Sequence, residues 1–128
     1  MNQPQQEVSP HKSETGFKRI WNALFYSAEG FRAAYRHEEA FRQEVWLAAI
    51  LIPAALFMPV SGTGKALMIG AVLLVPILEL LNSAIEAVVD YISLEHHPLA
   101  KRAKDYGSAA VMLSVLNLEL IWGLVLFG

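Results

Sequence analysis

The 128-residue chain contains no cysteine. Disulfides, thiolate metal sites and cysteine nucleophiles are therefore excluded. Charge is also scarce: Asp, Glu, Lys and Arg make up 17% of the residues, whereas hydrophobic types make up 55%. Soluble domains typically carry about 45–50% apolar residues, and the mean hydropathy here is positive. The net charge of −2 says less than the way the charges are distributed. No long apolar run precedes Val45, which is too late for the core of a cleavable secretory signal. What remains is one domain's worth of chain with its apolar residues gathered into long runs, the composition of a membrane protein.

The first 14 residues are polar, rich in Gln, Pro and Ser, and read as a disordered tail. From 16 to 36 the pattern changes. Phe17, Ile20, Trp21, Leu24, Ala28, Phe31 and Tyr35 recur at steps of three and four, with Lys18, Arg19, Arg32 and Arg36 between them. This is helical spacing. With cations opposite aromatics, it predicts an amphipathic helix lying in the membrane surface; the plainer alternative is a helix facing an ordinary core. Three apolar stretches follow, predicting spans over about 40–60, 64–91 and 105–127, since a span needs about 20 residues to cross a ~30 Å hydrocarbon layer. Pro53 falls inside the first, where a membrane helix tolerates it.

The turn Ser61-Gly-Thr-Gly-Lys65 faintly resembles a phosphate-binding loop, but Pro59 and Ala66 stand where that motif requires Gly and Ser or Thr. It is rejected on those grounds. The link from 93 to 105 is expected to be a loop carrying His96, His97, Pro98, Lys101, Arg102 and Lys104. Six of the ten Lys and Arg precede the first apolar run at Val45 (Lys12, Lys18, Arg19, Arg32, Arg36, Arg42), three lie in the 93–105 link, and only Lys65 lies between the runs that end at Val60 and begin at Ala66. The positive-inside rule then places the N-terminus and the 93–105 link in the cytoplasm and the C-terminus outside.

The second span carries Glu79, Asn82, Ser83, Glu86 and Asp90. Their spacing keeps them within roughly 100° of one helical face. Ionisable groups inside a span are costly and usually mark function. A polar seam between helices, or a helix emerging into water, is the competing reading; emergence accounts for Glu86 and Asp90 but poorly for Glu79 and Asn82. Carboxylates without thiolates suit a hard cation such as Mg²⁺. Glu38, Glu39 and Glu44 at the edge of the first span, with Lys104 and Asp105 at the start of the third, fall in the same layer. The residues alone indicate metal-dependent phosphoryl chemistry or ion handling at the inner face.

The stretch Glu79-Leu-Leu-Asn-Ser-Ala-Ile-Glu-Ala-Val-Val-Asp90 closely resembles the signature of the prokaryotic integral-membrane diacylglycerol kinases. So do Ala40-Phe-Arg-Gln-Glu44, Ala103-Lys-Asp105, Gly107-Ser-Ala-Ala110, Gly16-Phe-Lys-Arg-Ile20 and Tyr26-Ser27. The similarity runs without gaps from about Gly16 to the C-terminus. It implies an all-α membrane protein, three transmembrane helices plus the N-terminal surface helix, assembled as a homotrimer with active sites shared between subunits. A single membrane kinase domain over 15–128 in the bacterial inner membrane is the expectation.

Carried over from that resemblance, Glu79 matches the general base that takes the proton of the lipid's primary hydroxyl. Glu38 and Glu86 match the Mg²⁺-binding acids. Arg19, Tyr26, Glu38, Glu86, Glu95, His96, His97, Lys104 and Asp105 match the ATP-binding set. Arg19, Ala23, Ser27, Arg32, Tyr35, Ala40, Phe41, Arg42, Gln43, Glu44, Glu79 and Ser108 match the lipid site, with Asn82 and Asp90 in support. The implied reaction moves the γ-phosphate of ATP to diacylglycerol, giving phosphatidic acid. A polyprenol such as undecaprenol is the alternative substrate. A small transporter is a different class, disfavoured because the acids gather at one membrane face, and a purely structural membrane protein leaves Lys104 and Asp105 unexplained. Glu29, Pro98, Asn117 and Glu119 depart from the pattern. Asn117 and Glu119 fall where apolar residues are expected; for Glu119 the expectation is a packing role facing protein, within or between subunits and with Asn117 contributing, and the rival reading is a proton or ion path.

Overall fold

The computed structural model describes residues 15–92 and 97–128. The 1–14 tail, Glu95 and His96 lie outside them. Four helices follow in order: α1 Phe17–His37, α2 Glu39–Phe57, α3 Gly62–Ile92 and α4 Pro98–Phe127. The chain divides into two compact units, Met1–His37 and Glu38–Gly128.

α1 opens after Gly16, whose φ of 69° is the left-handed conformation that glycine adopts without cost. It closes on Arg36, a cation placed favourably at the negative end of the helix dipole, and His37. None of its residues is buried, and Phe17, Trp21, Leu24, Phe25 and Phe31 are all largely exposed. The helix runs through Gly30 without a break.

The second unit is built around α3, with α4 packed along it most extensively and α2 packed on it as well. α2, α3 and α4 are each long and apolar enough to cross a membrane, as the composition requires. The core is small: Phe41 and Ala55 of α2 against Met68, Ala71, Val72 and Val75 of α3. Short side chains let the helices approach. At one end of the α3–α4 pair, a Cβ added to Gly64 would lie 3.1 Å from Val125. Nearby, the Trp122 Nε1–H donates to the Met68 carbonyl at 3.1 Å. Such small-residue contacts and interhelical hydrogen bonds hold membrane helices together where apolar burial alone drives little association.

Two features expected as loops are helix starts. The Ser61 hydroxyl accepts from Gly64 N at 3.0 Å and so caps α3, which accounts for the turn that resembled a phosphate-binding loop. α4 begins at Pro98, not near 105. His97 is its N-cap, with Nδ1 accepting from Leu99 N at 3.1 Å, and Pro98 occupies the first turn, where its missing N–H costs nothing. Lys101 pairs with Asp105 one turn on, at 2.7 Å. Lys101, Arg102 and Lys104 therefore stand on a helix.

Candidate functional site

Glu38 occupies the N-cap position of α2 in extended backbone, and its side chain makes no capping hydrogen bond. Its carboxylate is thus not committed to its own helix. Across from it, the acid stripe of α3 turns inward. Glu79 is 8% exposed and Asn82 9%, while Glu86 is half-buried and Asp90 exposed. Burial falls away along the stripe toward Asp90. Emergence into solvent thus accounts for Asp90 and not for Glu79.

Glu79 lies within electrostatic reach of Glu38 and Glu86, and Glu44 of α2 lies within reach of Glu79. Three carboxylates, those of Glu38 and Glu44 at the start of α2 and Glu86 of α3, therefore lie within electrostatic reach of Glu79. Oε2 of Glu44 is buried with no hydrogen-bond partner among the described residues, and so is Oδ1 of Asn82. Buried polar atoms without partners are uncommon, and strain, a catalytic role or a bound water or ion accounts for them. The crowding calls for a positive charge or a donor between the acids. Among the described residues no group of three or more His, Cys, Asp or Glu forms a ready-made metal cage. Glu38 and Glu86 nonetheless supply carboxylate oxygens without nitrogen or sulfur, which fits a hard cation held by one or two carboxylates together with substrate phosphates.

Asn82 is held in place from α4. A Cβ added to Gly107 would collide with Asn82 Oδ1 and come within 3.2 Å of its Cγ. The other end of the amide donates to Glu86 Oε1 at 3.5 Å. At the edge of the layer, Lys104 of α4 pairs with Asp90 of α3 at 2.5 Å, and Lys104 also feels Glu86. Asp105 pairs with Lys101 on the exposed side.

The remaining expected residues separate. Phe41 is part of the core, Arg42 is half-buried, and Ala40 and Gln43 are exposed. Ser108 is exposed beside Gly107, and His97 is exposed at the head of α4. Arg19, Ala23, Tyr26, Ser27, Arg32 and Tyr35 are exposed on α1, in the first unit. Glu119 is exposed rather than covered by its own chain, and Asn117 is half-buried. The contact between Gly107 and Asn82 was not foreseen. A glycine next to Ser108 in a span was its only signal.

The prokaryotic diacylglycerol kinase family model matches residues 25–126. The chain belongs to that family. A diacylglycerol kinase of Pseudomonas aeruginosa is 54% identical over 120 residues, covering 94% of this chain and 98% of its own. One of Haemophilus influenzae is 47% identical, covering 88% and 96%, and one of Escherichia coli is 46% identical, covering 89% and 93%. The family match takes in α2, α3 and α4 almost whole, so every acid of the cluster lies inside it.

Proposed function

We propose that the protein transfers the γ-phosphoryl group of ATP to the primary hydroxyl of diacylglycerol, giving phosphatidic acid, at the cytoplasmic face of a bacterial inner membrane. The observation that carries this reading is the buried carboxylate of Glu79, inside a membrane-spanning helix and faced by Glu38, Glu44 and Glu86. Family membership narrows the chemistry to phosphoryl transfer.

In this mechanism Glu79 accepts the proton of the lipid hydroxyl as its oxygen attacks phosphorus in line. Asn82, wedged by Gly107, keeps Glu86 turned toward the phosphates. Glu38 and Glu86 would hold Mg²⁺, and the ion when bound would supply neutralisation of charge on the phosphoryl group. Lys104 releases Asp90 to meet the ATP phosphates, and Asp105 and His97 complete this unit's part of the nucleotide site. Ala40 to Glu44 line this unit's part of the lipid site. The working form is a homotrimer in which neighbouring copies share sites, with the N-terminus in the cytoplasm and the C-terminus outside.

Transfer of labelled phosphate from ATP to a panel of lipid alcohols in detergent tests the reading. Label in diacylglycerol is the expected result, and label confined to undecaprenol would reassign the substrate. Absence of transfer to any lipid alcohol by the folded oligomer would refute the kinase assignment.

A further inference from the structure

Asn117 and Glu119 are not used by the phosphoryl-transfer site. Both lie within the apolar helix α4, where an unpaired carboxyl or carboxamide facing lipid is costly. Two positions apart on a helix means roughly 160° around the axis and about 3 Å along it. The two side chains therefore leave opposite edges of α4 at nearly the same depth, and they cannot meet within one chain.

The surroundings of each are settled. Asn117 lines a shallow groove of about 540 Å³ between α3 and α4, walled by Leu74, Leu78, Ala110, Leu113 and Leu120. The groove's other polar group, the Ser114 hydroxyl, already donates to the Val111 carbonyl at 2.6 Å. Glu119 is exposed on the far edge. No hydrogen bond or ion pair joins either residue to another described residue.

We propose that these two residues form a head-to-tail contact between copies of this chain, with the Glu119 carboxyl of one copy accepting a hydrogen bond from the Asn117 Nδ2–H of the next. The inference rests on the homo-oligomeric reading above and deepens it by assigning a surface. Copies inserted in the same direction present the acceptor and the donor at matching depth, which lipid does not do. The donor lies in the α3–α4 groove and the acceptor is exposed on the other edge of α4. Each copy carries one of each on opposite sides, so the contact is heterologous and its repetition closes a ring about an axis along the membrane normal.

The chain has no cysteine of its own, so cross-linking in native membranes reads the contact directly. Asn117→Cys chains co-expressed with Glu119→Cys chains should give a cross-linked pair on oxidation. Either variant alone should give little, because the contact joins unlike edges. A chain carrying both substitutions should give a ladder ending at the size of the intact assembly. Because cysteine removes the polar pair, a second measurement uses leucine. Glu119→Leu and Asn117→Leu should each weaken self-association in detergent about 3- to 15-fold, the range of interhelical hydrogen bonds, and the double variant should lose no more than the weaker single variant. Glu119→Gln should keep both assembly and phosphoryl transfer. Equal cross-linking by one variant alone, or additive losses in the double leucine variant, would overturn the proposal. So would an intact oligomer that shows no cross-link in the mixture, and that result leaves the oligomeric reading standing. A protein that is monomeric in the membrane removes both.

Discussion

Asn82 of α3 occupies the space that a side chain at Gly107 of α4 would fill. This contact fixes how closely the two helices approach at the level of the acid cluster, and through the Asn82–Glu86 hydrogen bond it reaches one of the proposed metal-binding carboxylates. A packing detail and a functional group are thus joined by one missing Cβ.

Gly107→Ala tests that link. The added methyl has to displace Asn82 or part the helices, a strain worth about 1–3 kcal/mol in a packed interior. A misplacement of about 1 Å at the site can cost on the order of 10²-fold in rate. The expected result is a less stable protein with turnover reduced by about that factor. In Gly107→Ala/Asn82→Ala, stability should recover and turnover should not. Full activity in Gly107→Ala would show that the contact does not position the site.

Glu79→Gln keeps the size of the side chain and removes the proton acceptor. Turnover should fall about 10²- to 10⁴-fold, the usual worth of a general base, while ATP binding is kept. Kinetics on the purified, folded variant, with nucleotide binding measured separately, decide this; a near-normal kcat would move the base elsewhere, with Glu44 the next candidate by position.

Glu38→Gln and Glu86→Gln address the metal. Each should raise the Mg²⁺ concentration needed for half-maximal rate, because each removes a carboxylate oxygen from a site that has few. A titration of rate against Mg²⁺ at saturating ATP measures it. An unchanged Mg²⁺ dependence in both variants would mean that neither is a ligand.

Orientation is read by labelling single cysteines in intact cells. Thr63→Cys is preferable to a cysteine at Ser61, since the Ser61 hydroxyl caps α3. An impermeant thiol reagent added outside should label Thr63→Cys and leave Leu99→Cys unlabelled until the membrane is opened. The reverse pattern would invert the topology and remove the acid cluster from cytoplasmic ATP.

Much of this protein is legible in its sequence. Span length is a matter of counting apolar residues against bilayer thickness, so three membrane helices follow from the order of residues alone. Helical periodicity is equally local, which is why Glu79, Asn82 and Glu86 could be placed on one face, and why the motif from Glu79 to Asp90 carried the family. What the sequence could not give is which side of each helix is covered. That depends on partners distant in the chain: Asn82 is buried against Gly107 of α4, whereas Asp90 meets Lys104 of the same helix at an exposed edge. The start of α4 at Pro98 was missed because a run of cations before a span reads as a loop by composition, whereas the His97 cap and the Lys101–Asp105 pair that sustain the helix are geometric. Gly107 shows the same division. Its lack of a side chain is in the sequence, but only the approach of a second helix turns that lack into a seat for Asn82.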